Sequence, residues 1–390
     1  MRAEAGAGDA VGAARTGVWG VVSRAAFLAC SWTWVIGMYL PVILMREFGW
    51  PGWVAFAVPN VVGAAGMGLV LRRRGASGEM LEGHRVAASA FSATTIAFQA
   101  FFVTWVCGFT FDVYAGRYAG VVCVGTMALF SLGLARLKSG GWGVAAVITW
   151  LLSIGMLVMA RRTGAGQFVL PEVSGRSSPT ELLYLAPVCV FGFALCPYLD
   201  LTFHRVRRET AGRAGDVAFV LGFGVLFLVM IVATLLYAQG IITNDWWSYY
   251  LVAHMTLQAG FTVGAHARER ASLRRGGRGA GVIHAALTPL LVGVALGLIP
   301  GVLLRPRYGG GEIVYVVFMA MYGLVFPAYV WLVMGKRRRR ALTWWALAVG
   351  IASPMFWMGF VEKEWVWLAP GLAVVLGAKL PLLRGGARAA

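Results

Sequence analysis

The chain has 390 residues, of which 59% are hydrophobic and only 13% are charged. A soluble domain carries about 25% charged residues, so this composition excludes a water-soluble protein and indicates one that lies in lipid. The formal net charge of +18 would suit nucleic acid, but that function needs a soluble module with a basic face, and we expect no nucleic-acid partner.

The N-terminal stretch is rich in Ala and Gly and lacks the apolar core and cleavage site of a signal peptide. We predict a short disordered cytoplasmic tail over residues 1–23. The five cysteines lie in apolar segments, and none forms a CxxC or Cys/His ligand spacing. Neither a disulfide framework nor a metal site is therefore expected.

Apolar runs then follow one another along the chain, each close to the roughly 20 residues that a spanning helix needs. They predict an all-α membrane protein with about twelve transmembrane helices. The spans are expected near residues 24–45, 51–71, 86–111, 118–135, 142–160, 180–203, 216–239, 248–267, 281–304, 312–335, 341–360 and 365–383.

Lys and Arg are distributed unevenly between alternate connections. One set of connections holds about three times as many as the other, and it includes the clusters 72–74, 205–208 and 336–340. Because cytoplasmic loops collect basic residues, both termini are predicted to be cytoplasmic, and we expect the inner (plasma) membrane of a bacterium. Basic clusters beside a membrane attract anionic lipid, which is therefore an expected partner.

The longest outer connection, residues 161–179, follows the fifth span. It divides the chain into two five-helix segments, 24–160 and 180–335, and residues 336–390 add two helices and a short tail. Because five is an odd number, the two segments must cross the membrane in opposite orientations. Such inverted repeats are common in secondary transporters.

The first helix of each segment contains Gly and Pro about one helical turn apart. Gly37 and Pro41 lie in the first span, and Gly192 and Pro197 lie in the sixth. Proline removes a backbone donor and glycine tolerates unwound backbone. Exposed backbone groups persist in a membrane only where protein covers them or where they line a cavity. Two facing breaks would thus form a central site, whereas simple proline kinks would not.

The third and eighth spans each carry a polar stripe on one helical face. The stripes are Ser92, Thr95 and Gln99, and His254, Gln258 and Thr262. Polar faces of membrane helices point into the bundle, where these groups serve either interhelical hydrogen bonds or ligand contact.

This combination resembles the LeuT fold of the amino acid, polyamine and organocation superfamily, and the first two spans resemble sodium:solute symporters. The resemblance implies a 5+5 inverted repeat, unwound first and sixth helices, and a substrate site that the third and eighth helices help to line. It places the substrate contacts at Gly37, Tyr39, Pro41, Gly192, Pro197 and Tyr198, with Gln99, His254 and Gln258 facing them.

Three further residues complete the predicted site. Trp34 adjoins the first break, where it either stacks on cargo and gates the site or simply packs. Cys196 adjoins the second break. Asp200 lies near the predicted cytoplasmic end of the sixth span, where it is either a functional group or a local cap paired with neighbours such as His204.

The coupling ion is left open, and no cofactor is assigned. Sodium-coupled relatives carry neighbouring Ser or Thr on the eighth helix, whereas Ser248, Thr256 and Thr262 are separated here. The fifth span, with Thr149 and Ser153, lacks the lysine that replaces sodium in some proton-coupled relatives. Coupling to either sodium or protons is compatible with the sequence.

We therefore predict a secondary transporter of a small neutral or zwitterionic solute, because the membrane core offers little fixed charge. One alternative is a membrane-embedded transferase acting on a lipid-linked substrate. That chemistry needs a positioned base or nucleophile, and His204 beside Asp200 is its main candidate. The other alternative is a non-transporting sensor or assembly module on a transporter-like scaffold.

Overall fold

The computed structural model describes residues 17–107, 119–163, 175–210, 212–243, 248–273, 280–303, 309–334 and 338–384. These residues form helices joined by short turns, and no strand occurs among them. In chain order the helices are α1 (Val18–Trp32), α2 (Val35–Phe48), α3 (Trp50–Val70), α4 (Ala76–Trp105), α5 (Ala119–Ala135), α6 (Ser139–Thr163), α7 (Leu182–Leu195), α8 (Leu201–Glu209), α9 (Arg213–Leu236), α10 (Ala238–Thr243), α11 (Tyr249–Ser272), α12 (Ala280–Leu303), α13 (Gly310–Val333), α14 (Arg338–Phe360), α15 (Leu368–Gly377) and α16 (Lys379–Arg384).

The membrane spans agree with the sequence prediction. Within the described ranges, 9 helical segments are long and apolar enough to cross a bilayer, and the bent pair α1–α2 makes up to 10. The two remaining predicted spans are also helical: α5 has 17 residues, and α11 has 24 residues with several polar side chains. The all-α architecture with about twelve transmembrane helices is confirmed.

The packing of the two five-helix segments follows one pattern. α4 packs along α12, and the equivalent pair in the other half, α11 and α5, packs in the same way. Likewise α3 packs on α7, and the equivalent α9 packs on α1. Matching pairs of this kind are what a pseudo-two-fold axis produces. α4 and α11 meet at the centre, while α14 and α15 pack on α13 and α7 at the periphery.

Glycines let the helices that carry the site approach closely. A Cβ at Gly63 of α3 would overlap the carbonyl of Phe193 in α7, and a Cβ at Gly293 of α12 would overlap the carbonyl of Ala97 in α4. In lipid, helices associate largely through such close contact between small residues. These glycines therefore hold α7 and α4 in place around the centre.

Two predicted boundaries shift in the structure. α1 begins at Val18, which shortens the predicted tail of residues 1–23, and residues 1–16 lie outside the described part. Most of the predicted connection 161–179 also lies outside it. Its last residues pack on the end of α2, where the Ser177 N–H donates to the Glu47 carbonyl at 2.7 Å.

Candidate functional site

The first span is broken, but earlier than the Gly and Pro pattern indicates. α1 ends at Trp32, α2 begins after Trp34, and the two axes differ by 57°. Gly37 and Pro41, where the break was predicted, lie inside α2. The Thr33 hydroxyl donates to the Ala29 carbonyl at 2.8 Å, a local bond of the kind that bends helices.

The residue at this break is packed among aromatic rings. Trp34 has an extended backbone (φ −82°, ψ 175°) and is 1% exposed. Its indole N–H donates to the Ser31 carbonyl. The ring centroid lies 4.4 Å from that of Trp32, 5.4 Å from Tyr322 and 5.6 Å from His266. Trp34 therefore fills the space that the unwound backbone opens.

The sixth span is interrupted between α7 and α8. Cys196, Pro197 and Tyr198 lie in a short 3-10 turn, and Asp200 follows it with extended backbone (φ −77°, ψ 112°). Asp200 caps α8, since its Oδ1 accepts from the Thr202 N–H at 2.7 Å. The carboxylate is completely buried, so it is a cap within the bundle and not at its surface.

The two breaks meet. The Thr202 hydroxyl oxygen, just after the second break, lies 3.1 Å from the Ser31 hydroxyl, just before the first. The rings of Trp32 and Phe203 lie 4.8 Å apart. Residues more than 150 positions apart in the sequence thus form one centre, as the facing-break hypothesis requires.

A small cavity lies beside this centre. Its volume is about 10 Å³, which is room for about one water molecule. Three of the predicted site residues line it, namely Trp34, Gly37 and Cys196. The other lining residues are Trp32, Ile36, Asn60, Phe193 and Tyr322. None of these carries a charge, and the space must widen before a solute can bind.

The sequence analysis predicted none of these five other lining residues, of which Asn60 and Tyr322 make the clearest polar contacts. The Asn60 side-chain oxygen accepts the Trp32 indole N–H at 2.6 Å, and a lone amide in an apolar span was a usable signal for it. Tyr322 lies in a π-helical segment of α13, a feature that often marks functional sites. Its hydroxyl lies 3.0 Å from the Thr95 hydroxyl. No sequence pattern distinguishes it from the other tyrosines.

The two polar stripes face the interior as predicted, and all six side chains are buried. Gln258 donates to the Ser153 hydroxyl at 2.7 Å, and Thr262 donates to the Cys30 carbonyl at 3.3 Å. Gln99 has no hydrogen-bond partner among the described residues, nor does Nδ1 of His254. None of the stripe residues lines the central cavity.

A second cavity of about 60 Å³ lies on the predicted outer side, between α2, α7 and α13. Gly192 belongs to its wall, and so does Cys189. Tyr39 stands apart from it in an aromatic cluster with Phe102, Trp105 and Tyr315. The structure thus distributes the predicted site residues between the central cavity, this outer cavity and the surrounding packing.

Ion pairs close the outer cavity. Arg46 of α2 binds Glu312 of α13 through both ends of its guanidinium, with Nη1 2.9 Å from Oε2. Lys363 binds the buried Glu47 at 2.6 Å. This outer ion cluster, Arg46, Glu47, Glu312 and Lys363, connects α2 with α13 and with the segment that precedes α15.

A second cluster closes the opposite end. Arg205 lies 3.0 Å from Glu209 and 3.3 Å from Glu269, and Glu209 also pairs with Arg24 of α1 at 3.7 Å. Arg205 is only 5% exposed. This inner ion cluster, Arg24, Arg205, Glu209 and Glu269, joins α1, α8 and α11. The two ion clusters thus lie at opposite ends of the broken α1–α2 span, near Arg24 and Arg46.

The fold was then compared with known proteins. The chain superposes on a solved structure of a Na+-coupled sialic acid symporter in its substrate-bound, outward-open state, with 11% identity, 93% of this chain and 89% of that chain covered, and a TM-score of 0.54. It also superposes on the manganese transporter of Eremococcus coleocola in complex with an aromatic bis-isothiourea compound, with 12% identity, coverage of 94% and 93%, and a TM-score of 0.47. No protein-family model and no curated protein sequence matches. The likeness to the symporter shows that this multi-pass helical membrane protein shares the fold of that symporter.

Proposed function

We propose that the protein is a secondary transporter that moves a small neutral or zwitterionic solute by alternating access. Its binding site lies between the breaks of the first and sixth spans. One observation carries the proposal: two interrupted helices meet beside a small cavity, and a separate ion cluster joins the helices at each end of the bundle. Alternating access needs such a pair of closures that open in turn around a fixed site.

The chemistry of the cavity favours cargo without net charge. The described residues that line it carry no charged side chain, and an uncompensated buried charge costs several kcal/mol. The unwound backbone at Trp34 and the first turn of α2 offer N–H groups without helical partners, whereas the Thr33 N–H donates to the Ala29 carbonyl. Dipoles of this kind suit hydroxyl, amide and zwitterionic groups.

The proposal extends to the family that the protein resembles and to its location in the cell. The LeuT-like 5+5 repeat over residues 24–160 and 180–335, with similarity to sodium:solute symporters, agrees with the matched packing of the two halves. The asymmetry of basic residues supports a bacterial inner membrane with both termini in the cytoplasm. Arg72, Arg73 and Arg74 are exposed, and we assign anionic lipid to this cluster; Arg205 and Arg207 are buried in ion pairs instead.

The transferase alternative loses its main candidate base. His204 Nε2 lies 2.9 Å from the Tyr198 carbonyl, and Nδ1 lies 2.8 Å from the Ser77 hydroxyl. Since a carbonyl only accepts, Nε2 carries the proton and Nδ1 accepts from Ser77. Nδ1 thus holds α8 against α4, Nε2 ties α8 to the turn before it, and His204 lines neither the central nor the outer cavity.

Transport is tested by solute exchange in proteoliposomes. Proteoliposomes that contain the purified protein are loaded with unlabelled solute. They are then given the same solute in radiolabelled form outside: L-leucine, L-proline, glycine betaine or myo-inositol, with sialic acid as an anionic comparison. We expect exchange of at least one neutral or zwitterionic solute. Exchange of sialic acid alone contradicts the proposed cargo class, and exchange of none of these contradicts transport of the proposed cargo.

Substitutions at two glycines test where the transport pathway lies. A Cβ at Gly192 would lie 2.8 Å from the Tyr322 carbonyl, whereas a Cβ at Gly155 of α6 would meet nothing within 4 Å. Gly192→Ala forces α7 away from α13 beside the cavities, and we expect exchange to fall at least about tenfold, the effect of roughly 1.4 kcal/mol. Gly155→Ala is the matched control and keeps wild-type exchange. Equal rates in both variants place the pathway elsewhere.

A further inference from the structure

Two buried ionisable groups face each other at the second break. Oδ2 of Asp200 lies 3.7 Å from Nε2 of His266 in α11, and both side chains are completely buried. We propose that this pair is a proton-binding site that couples proton movement to the transport cycle. The inference rests on the proposed function, and it names the driving ion that the sequence left open.

The hydrogen bonds around the pair leave one atom free on each residue. Oδ1 of Asp200 accepts from the Thr202 hydroxyl at 2.6 Å and from its N–H at 2.7 Å. Nδ1 of His266 lies 3.0 Å from the Ser92 hydroxyl. Oδ2 and Nε2 have no hydrogen-bond partner among the described residues. The two unsatisfied atoms point at the same gap.

The net charge of the pair favours the binding of one cation in this gap. With no added proton the pair holds a carboxylate and a neutral imidazole, and its net charge is −1. With one proton, carried by either residue, the net charge is zero. Leaving a buried charge uncompensated costs several kcal/mol, so the protonated pair is the stable closed form. The proton forms one O–H or N–H bond on arrival and leaves by breaking it.

The donor set favours a proton over sodium. A cation such as sodium takes oxygen ligands, and the gap is bordered on one side by an imidazole nitrogen. A proton needs only that Oδ2 and Nε2 approach to about 2.8 Å, the length of a charge-assisted hydrogen bond.

Other ionisable groups face the pair from the neighbouring helices, and each is engaged. Glu269 of α11 pairs with Arg205 and Arg208. The remaining groups are His204 of α8, held by Ser77 and Tyr198, the Tyr322 hydroxyl of α13, bonded to Thr95, and the Cys196 thiol, which donates to the Tyr322 carbonyl. The gap between Asp200 and His266 is therefore the place where an added proton gains a new hydrogen bond.

The position of the pair links protonation to both breaks. Asp200 caps α8 and, through Thr202, reaches Ser31 at the end of α1. His266 lies edge-on to the Trp34 ring at 5.6 Å. Adding the proton draws α8 and α11 together. Losing it leaves an uncompensated negative charge, which disfavours the close approach of the two helices. One proton thus biases the geometry of both interrupted helices.

The protonation step is measured without cargo, by infrared difference spectroscopy of the purified full chain in lipid nanodiscs between acid and alkaline buffer. The wild type should show a carboxylic-acid carbonyl band that Asp200→Asn removes. Asp216→Asn, which changes a carboxylate paired with Arg207 at the inner end, is the control and should keep the band. The other carboxyl groups of the chain give bands of their own, so an Asp200→Asn difference spectrum identical to that of the wild type is the result that overturns the proposal.

A second variant covers the case in which Asp200→Asn fails to fold. His266→Gln keeps a polar group beside Asp200 but cannot hold a proton, so the carboxylic-acid band should move to a new frequency. A spectrum identical to that of the wild type overturns the proposal. Replacing potassium chloride with sodium chloride should change nothing, and loss of the band in sodium assigns the gap to that ion instead.

Coupling is measured with a solute that the wild type exchanges. An inward gradient of about 2 pH units should drive up to about 100-fold accumulation for one proton per solute, since each unit is a factor of ten. His266→Gln should lose this accumulation, whereas Asp216→Asn, at a carboxylate paired with Arg207, should keep it. Accumulation that follows sodium and ignores pH overturns the proton site and leaves the transporter standing. If no solute exchanges, the proposed function fails, and the infrared result still decides the proton site.

Discussion

At the first break the chain bends by 57° around Thr33 and Trp34 and surrounds them with aromatic rings. At the second, a 3-10 turn leads into Asp200, whose buried carboxylate is held by the backbone and hydroxyl of Thr202. Equivalent helices thus carry different chemistry: shape and dipoles at one break, and at the other a buried carboxylate that faces His266. In the proposed transport cycle, the first break serves the cargo and the second serves the ion.

The largest effect is expected from Trp34→Ala. It removes a buried ring that contacts Trp32, Tyr322 and His266, and the free energy of unfolding in detergent should fall by about 3–5 kcal/mol. Trp344→Ala, on the periphery of α14 and 37% exposed, is the matched control and should cost far less. Equal losses of stability in the two variants would mean that packing around Trp34 does not stabilise the first break.

A smaller effect is expected at the second break from Thr202→Val, which keeps the shape and removes the hydroxyl. The Asp200 carboxylate loses one of its two donors on Oδ1, and the free energy of unfolding should fall by about 1.5–3 kcal/mol, the range for hydrogen bonds to charged groups. Thr163→Val removes an exposed hydroxyl that donates to a backbone carbonyl and should be neutral. A loss of stability larger than that of Trp34→Ala would mean that the second break contributes more to stability than the first.

The smallest effect is expected where α2 ends, far from the break itself. Glu312→Gln weakens the outer ion cluster by about 1 kcal/mol, which should raise the population of the open outer cavity about fivefold. Labelling of Cys189, in the cavity wall, by a membrane-impermeant maleimide should speed up accordingly. Glu79→Gln, which changes an exposed pair with Arg73, should leave that labelling unchanged. No acceleration in Glu312→Gln would mean that these ion pairs do not close the cavity.

The interrupted helices show which features of a break the Gly and Pro pattern can predict. Gly37 and Pro41 signalled a break in the first span, yet the chain unwinds at Thr33 and Trp34. Gly and Pro tell where a helix bends at low cost. The position of the bend depends on which side chain, here Trp34, finds a pocket among helices distant in sequence. At the second break, Pro197 does lie in the 3-10 turn.

The sequence by itself determined the spans, the buried polar stripes such as Ser92, Thr95 and Gln99, and the two interrupted helices, because these depend on the composition and spacing of residues within one helix. Only the tertiary structure decided which atoms meet: Asp200 with His266, Tyr322 with Trp34, Arg46 with Glu312. Those contacts join helices far apart in the chain, and the close packing of the bundle sets them. The identity of the site rests on them.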